Sequence, residues 1–114
     1  MRVTFRNEKT KAERDVTADG VVAGLGIVPN VELARAAGLD VDDGIIVDEQ
    51  LRTRHPDVYA AGDVARFFNP ALGSRLRVEH EANANTMGAA AGRAMAGASV
   101  RCDHLPFFKG RLAA

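Results

Sequence analysis

Residues 58–65 read VYAAGDVA. A segment with strand character runs into Gly62-Asp63, and the apolar pattern then resumes as though nothing polar had intervened. A carboxylate in that position needs a partner. Glycine lets a ligand or a second backbone come close, and the carboxyl ends of strands are where open α/β sheets place their ligands. If VARFF (64–68) opens a helical turn, its free N–H groups favour a phosphate at the same spot. The Asp63 carboxylate would then accept charge-assisted hydrogen bonds from sugar-type hydroxyls. A nucleotide carrying a polyol meets both demands. Asp63 as a simple N-cap of that turn produces the same pattern, and residue chemistry alone leaves both readings open.

Upstream, His55-Pro56-Asp57 breaks the chain before the strand, and GIIVDEQLRT (44–53) reads as a pair of strand-like pieces around a polar turn at 48–50. DGVVAGLGIVPN (19–30) is a short apolar run that suits a buried strand, with Gly24 and Gly26 marking a close approach at its end and Pro29 stopping it. Gly24-x-Gly26 lacks the third glycine and the helix that a dinucleotide fingerprint requires, so it reads as a tight strand exit. Asn30 suits the N-cap of a helix over VELARAA (31–37), with Glu32 in its first turn and Gly38 as its stop. At the amino end, RVTFR (2–6) and KAERDVT (11–17) alternate polar and apolar residues and predict a hairpin with one wet face.

Downstream, FFNPALGSR (67–75) has the composition of a loop, and EANANTMGAAAGRAMA (81–96) is the best helix in the chain, closed by Gly97. Ala84, Gly88, Ala91, Gly92 and Met95 share three- and four-residue spacing, which predicts a nearly bare face with something close against it. Met87 and Met95 read as core fillers. Arg77, Glu79, His80 and Glu81 gather at the helix entrance, where such a cluster can tune or contact a cofactor ring. Acidic residues in a solvated first turn explain Glu79 and Glu81 equally well.

With 114 residues, the chain has the length of one domain or a piece of one, and its 15 basic and 15 acidic residues leave no net field to gather a polyanion or an anionic bilayer. Neither nucleic acid nor membrane is an expected partner. No apolar run approaches the ~18 residues of a membrane span, and Met1 leads into a charged strand rather than a signal peptide, so the cytoplasm is the expected compartment. Cys102 is the sole cysteine. That excludes an internal disulfide or a C-x-x-C pair, and any redox chemistry must come from a bound cofactor. His55, His80 and His104 show no ligand spacing, so no metal is expected. No nucleophile elbow is present either.

The order of these segments carries more than any one of them. ADGVVAGLGIVPNVELA, GIIVDEQLRT, HPDVYAAGDVA, RVEHEANANTMGAAAGRAMAG and HLPFF, in that order over residues 1–108, resemble the carboxyl-terminal half of the FAD-dependent pyridine nucleotide-disulfide oxidoreductases. The likeness is strongest to the branch of ferredoxin and rubredoxin reductases that includes apoptosis-inducing factor. The resemblance implies an α/β fold, part of a Rossmann-like FAD/NAD(P)-binding domain of the three-layer ββα type. Residues 1–26 would be the last strands of an NAD-binding domain, 27–108 the carboxyl-terminal part of a FAD-binding domain, and 109–114 a divergent tail.

By the same resemblance, FAD takes hydride from NAD(P)H and passes electrons to an iron-sulfur or similar carrier, the flavin supplying the chemistry and the protein position and field. Asp63 and Gly62 would hold the ribityl chain and pyrophosphate, Glu79 and His80 would lie near the ring, and Gly26 and Pro29 would shape the crossover between domains. No residue is assigned a catalytic role. Glu81 departs from the aromatic residue of some relatives, so nicotinamide stacking is not implied there. The family's two G-x-G-x-x-G fingerprints are missing from these residues, and KGRLAA departs from the family at Lys109. The expectation is therefore a chain clipped at both ends that holds FAD weakly or not at all by itself. It would otherwise be completed by a second chain, or be a non-catalytic remnant that oligomerises.

Overall fold

The computed structural model describes residues 1–105. Expectations for Pro106–Phe108 of HLPFF and for the 109–114 tail lie outside them. The predicted hairpin is present: β1 (Arg2–Arg6) pairs antiparallel with β2 (Glu13–Thr17), Arg2 opposite Thr17 and Arg6 opposite Glu13. Asn7 closes its turn by accepting the backbone N–H groups of Lys9 and Thr10 on its side-chain oxygen. No residue of either strand is buried.

The segment 20–30 does not become the buried strand that its apolar run predicts. It has no regular structure, and its side chains stand in solvent, Val22 at 101% and Leu25 at 93% exposure. A strand needs a neighbour to satisfy its backbone groups, and none lies beside this one among the described residues. Gly26 takes a φ of +76°, a conformation that favours glycine, but a Cβ there would meet nothing within 4 Å, so the expected close approach is not observed.

Helix α1 (Glu32–Ala36) is short, and its N-cap is Val31 rather than Asn30, with no side-chain cap. Gly38 ends it as predicted, with a φ of +73° and its N–H donated to the Arg35 carbonyl. Of the two strand-like pieces around Asp48, the first is β3 (Ile45–Val47), and the second is reduced to a single bridge between Arg52 and Tyr59. The same bridge is all that forms of the strand expected at VYAA. Asp48 turns the chain between them, its carboxylate accepting the N–H groups of Gln50 and Arg52.

The largest departure follows Asp63. Residues 62–64 make one 3₁₀ turn, and ARFFN then forms strand β4 (Ala65–Asn69) instead of continuing as a helix. β4 lies parallel to β3, with Ile45 opposite Ala65, and antiparallel to β5 (Ser74–Leu76). The predicted loop at 67–75 is thus a β-hairpin. Asn69 makes its turn by accepting the N–H groups of Ala71 and Leu72, while its amide nitrogen donates to the His104 carbonyl at 2.8 Å.

Helix α2 (Glu81–Met95) is as the sequence predicts, ended by Gly97 at a φ of +87°. Its packed side is different from the expected one. Asn83, Met87, Ala90, Ala91 and Ala94 are buried, whereas Gly88 and Gly92 face open space and Met95 is 67% exposed. Met87 fills the core and Met95 does not. Alternate residues of β4, namely Ala65, Phe67 and Asn69, point inward, and Phe67 joins Val47, Leu51, Met87 and Cys102 in one cluster. Among the described residues no helix is long and apolar enough to cross a membrane.

Candidate functional site

The turn at Gly62–Asp63 is built by its neighbours on three sides. Ala61 enters extended, and Gly62 then turns to a φ of +75°, where a side chain would be strained. Gly62 is buried against α2, and a Cβ on it would lie 3.5 Å from the Cβ of Ala84. Ala84 is therefore where the small-residue face of α2 is used. Asp63 sits inside the turn rather than capping it, since the N-cap position is Ala61 and no side-chain cap is made. Its side chain is exposed, and no hydrogen bond or ion pair to its carboxylate is found among the described residues.

Arg77, just after β5, reaches this turn. Its Nη1 donates to the Asp63 carbonyl at 3.2 Å, and its Nη2 lies 2.9 Å from Glu79 Oε1 and 3.3 Å from Asp43 Oδ1. The side chain is only 10% exposed. Burial works against the charge, yet the hydrogen bonds that the guanidinium donates to Glu79 and Asp43, with the attraction of their charges, outweigh it and hold the guanidinium above its ordinary pKa. Gly44 makes room for the arginine. At a φ of +126°, a Cβ there would fall 2.8 Å from the Val64 carbonyl oxygen and 2.9 Å from Arg77 Cδ.

Of the residues singled out by sequence, Gly62, Asp63 and Glu79 converge on Arg77 or on the turn it braces. His80 caps α2, its Nδ1 accepting the Ala82 N–H at 3.2 Å. Glu81 occupies the first turn of α2, as the solvated-start reading predicts. Pro29 lines a shallow depression with Asp42, Asp43 and Gly44, and Asp43 is also a partner of Arg77. A Cβ placed on Gly26 would meet none of these within 4 Å.

One constellation was missed. His104 stacks on Phe67 with ring centroids 6.3 Å apart and planes inclined by 8°. Its Nε2 meets Asn83 Oδ1 at 2.8 Å, and its Nδ1 lies 3.6 Å from the Cys102 sulfur. Because the Asn83 amide nitrogen donates to Met87 Sδ, its oxygen is the acceptor, so His104 carries its proton on Nε2. Burial, and secondarily the charge of Asp103, push the Cys102 thiol above its usual pKa. The thiol is a packed core group and not a nucleophile. Asn83, a polar residue two positions into a helix otherwise rich in alanine, was the one available signal. Among the described residues no group of His, Cys, Asp or Glu could hold a metal ion.

Residues 2–88 match the pyridine nucleotide-disulphide oxidoreductase family. The chain belongs to this family. It is 48% identical over 93 residues to the ferredoxin–NAD(+) reductase component of the anthranilate 1,2-dioxygenase system of Burkholderia cepacia, a match covering 82% of this chain and 23% of that protein. It is 35% identical over 113 residues to the mitochondrial apoptosis-inducing factor 1 of Dictyostelium discoideum, covering 95% of this chain and 20% of that one. Its fold superposes with a TM-score of 0.76 and 38% identity on a chain of the covalent putidaredoxin reductase–putidaredoxin complex, covering 83% of this chain and 23% of the other. The chain spans under a quarter of the length of these relatives. The resemblance to the ferredoxin reductase and apoptosis-inducing factor branch is borne out, and the mixed α/β fold is part of a FAD/NAD(P)-binding domain of this family. Pyridine nucleotide-disulfide oxidoreductases use FAD and NAD(P)H.

Proposed function

We propose that this chain contributes to a ferredoxin reductase-like oxidoreductase that moves electrons from NAD(P)H through FAD to an iron-sulfur carrier. The observation that carries the reading is the Gly62–Asp63 turn, buried at the glycine, open at the carboxylate and braced by Arg77. Its chemistry suits the ribityl chain and pyrophosphate of FAD. The outward carboxylate can accept hydrogen bonds from hydroxyls, and the first N–H groups of a helical turn have no partners within it and suit phosphate oxygens. When bound, FAD would supply hydride acceptance and single-electron release. The residues of this chain would bind and orient it.

Glu79 and His80 would stand at the ring side, at the start of α2, and Pro29 with Gly26 would shape the crossover from residues 1–26, assigned to an NAD-binding domain, into 27–108, assigned to the FAD-binding domain. An iron-sulfur protein as electron acceptor is supported by the relatives, one of which was crystallised joined to putidaredoxin.

The test is titration of FAD into the chain, followed by flavin fluorescence. Weak, saturable binding is expected, and Asp63→Asn should weaken it about tenfold, in line with the ~1.5–3 kcal/mol of a hydrogen bond to a charged group. Binding indifferent to Asp63→Asn would remove the flavin from this turn. A purified chain that stays yellow with stoichiometric flavin through dialysis would overturn the expectation of weak binding.

A second reading is favoured by the exposed apolar run at 21–28 and by a radius of gyration of 18.7 Å, against the about 13 Å of a compact chain of about 100 residues. The chain would then act as an association module, covered by copies of itself or by a complementing chain. Light scattering separates the two: a colourless oligomer supports association, and a colourless monomer removes it.

A further inference from the structure

We infer that Arg77 is the positioning residue of the Gly62–Asp63 turn, a brace that holds the turn in shape before any ligand arrives. The inference rests on the reading of that turn as a cofactor grip, and it goes further by saying what keeps the grip in shape.

The argument begins with what the turn lacks. The 3₁₀ turn is only three residues long, and it closes with the Ala65 N–H on the Gly62 carbonyl. Gly62 brings the greatest backbone freedom of any residue and would lose most of it on ordering. Packing of Ala84 at 3.5 Å from the position of a Gly62 Cβ limits one side only. Asp63 itself is exposed. Something must set the orientation of the 63–64 peptide, and the Arg77 Nη1 bond to the Asp63 carbonyl is the side-chain contact that reaches it.

That bond is not incidental, because the guanidinium is itself immobilised. Asp43 and Glu79 hold Nη2 from two different segments, one before β3 and one before α2. The absence of a side chain at Gly44 lets the arginine stem pass where a Cβ would lie 2.9 Å from it. Four parts of the chain thus meet on one planar, five-donor group: the 43–44 turn, the 62–64 turn, β5 through its exit at Arg77, and the entrance to α2. Lysine could not replace it. An ammonium carries its three donors on one nitrogen at the end of a flexible stem, so it can stay beside the acids but lacks the flat fork whose second nitrogen reaches the carbonyl.

Both acids are substantially exposed, Asp43 at 62% and Glu79 at 38%. They can turn to water if the arginine is lost, so removing it should loosen the turn without stranding a buried charge. Arg77 touches no ligand in this account. It acts through the Asp63 carbonyl.

The experiment compares the full chain with Arg77→Met and Arg77→Lys by backbone amide NMR relaxation, without FAD. In the unmodified chain, order parameters at Gly62, Asp63 and Val64 should match those of the rigid backbone, near ~0.85, and in both variants they should fall below ~0.6. Phe67 and Met87 should be unchanged. Arg77→Lys keeps the charge that faces Asp43 and Glu79 and should retain a near-native melting temperature. Loss of order at 62–64 in that variant therefore separates bracing from a general structural role. Order parameters at 62–64 that stay at the unmodified level in Arg77→Lys would overturn the inference, as would mobile values in the unmodified chain. Because this readout contains no flavin, it stands or falls apart from the FAD titration. If the turn loosens but FAD binding ignores Asp63→Asn, the brace is right and the cofactor assignment is wrong.

Discussion

The β1–β2 hairpin and the β3–β4–β5 sheet use the same backbone pairing and reach opposite outcomes. The hairpin has the longer register, five facing pairs against three at each junction of the sheet. It carries cross-strand polar contacts as well, Thr4 to Asp15 at 2.7 Å and Arg2 to Asp15 at 3.7 Å. Yet it buries nothing. Exposed pairs of this kind contribute ~0–1 kcal/mol each, and a lone two-stranded ribbon is marginal in water. The sheet pairs fewer residues but sets Phe67 and Val47 against Met87 of α2, with exposures of 1% or less. Hydrogen bonds give both regions their shape, and only apolar burial holds one of them firmly.

The contrast is broken most directly at Phe67. Phe67→Ala should cost about 3–5 kcal/mol, enough to abolish a cooperative urea transition followed by circular dichroism. A loss under about 1 kcal/mol would mean that this sheet is no better anchored than the hairpin.

Gly44→Ala comes next. It forces a side chain into the left-handed backbone and against the Val64 carbonyl, so a loss of about 1–3 kcal/mol is expected in the same assay.

A smaller effect concerns Cys102. Its folded pKa lies above the unfolded one, so the protonated thiol's contribution is complete below the ordinary thiol value and is lost as pH rises through the folded one. Stability should therefore decline more above about pH 8.5 than it does in Cys102→Ala, and iodoacetamide should label the native thiol far more slowly than the thiol in urea. Equal labelling rates would show that the core around Phe67 is open.

The smallest effect belongs to the hairpin. Phe5→Ser, at a residue 58% exposed, should stay within about 0.5 kcal/mol of the parent.

How much of this could be read without coordinates varies with the range of the interactions involved. The hairpin at 2–17 and helix α2 announced themselves, because alternation and capping are local patterns and Gly97 ends the helix through its own dihedral preference. The strand expected at 20–30 failed for the opposite reason. Valine and isoleucine give it strand propensity, but no neighbour satisfies its backbone among the described residues. By sequence ARFFN (65–69) reads as well as the start of a helical turn, because a short apolar run fits either structure. The partner that decides it, β3 at Ile45–Val47, is remote in sequence.

The candidate site divides in the same way. The Gly62-Asp63 pair stands out in the sequence as a glycine and an acid after an apolar run, and the order of segments around it marks the family, although the strand expected before it forms only as the Arg52–Tyr59 bridge. In the sequence Arg77 is only one of a charged cluster. Its role depends on Asp43, Asp63 and Glu79 arriving at one guanidinium, and no spacing rule links those positions. His104 on Phe67 and Asn83 was invisible for the same reason.

The amino-acid sequence by itself therefore determined the family, the β1–β2 hairpin, helix α2 and the place of the Gly62-Asp63 pair, all marked by neighbours along the chain. The tertiary structure alone decided that β4 is a strand, that α2 packs through Met87 rather than Met95, and that Arg77 braces the turn. Each of these is a contact between distant segments, and its free energy exists only once the chain has brought them together.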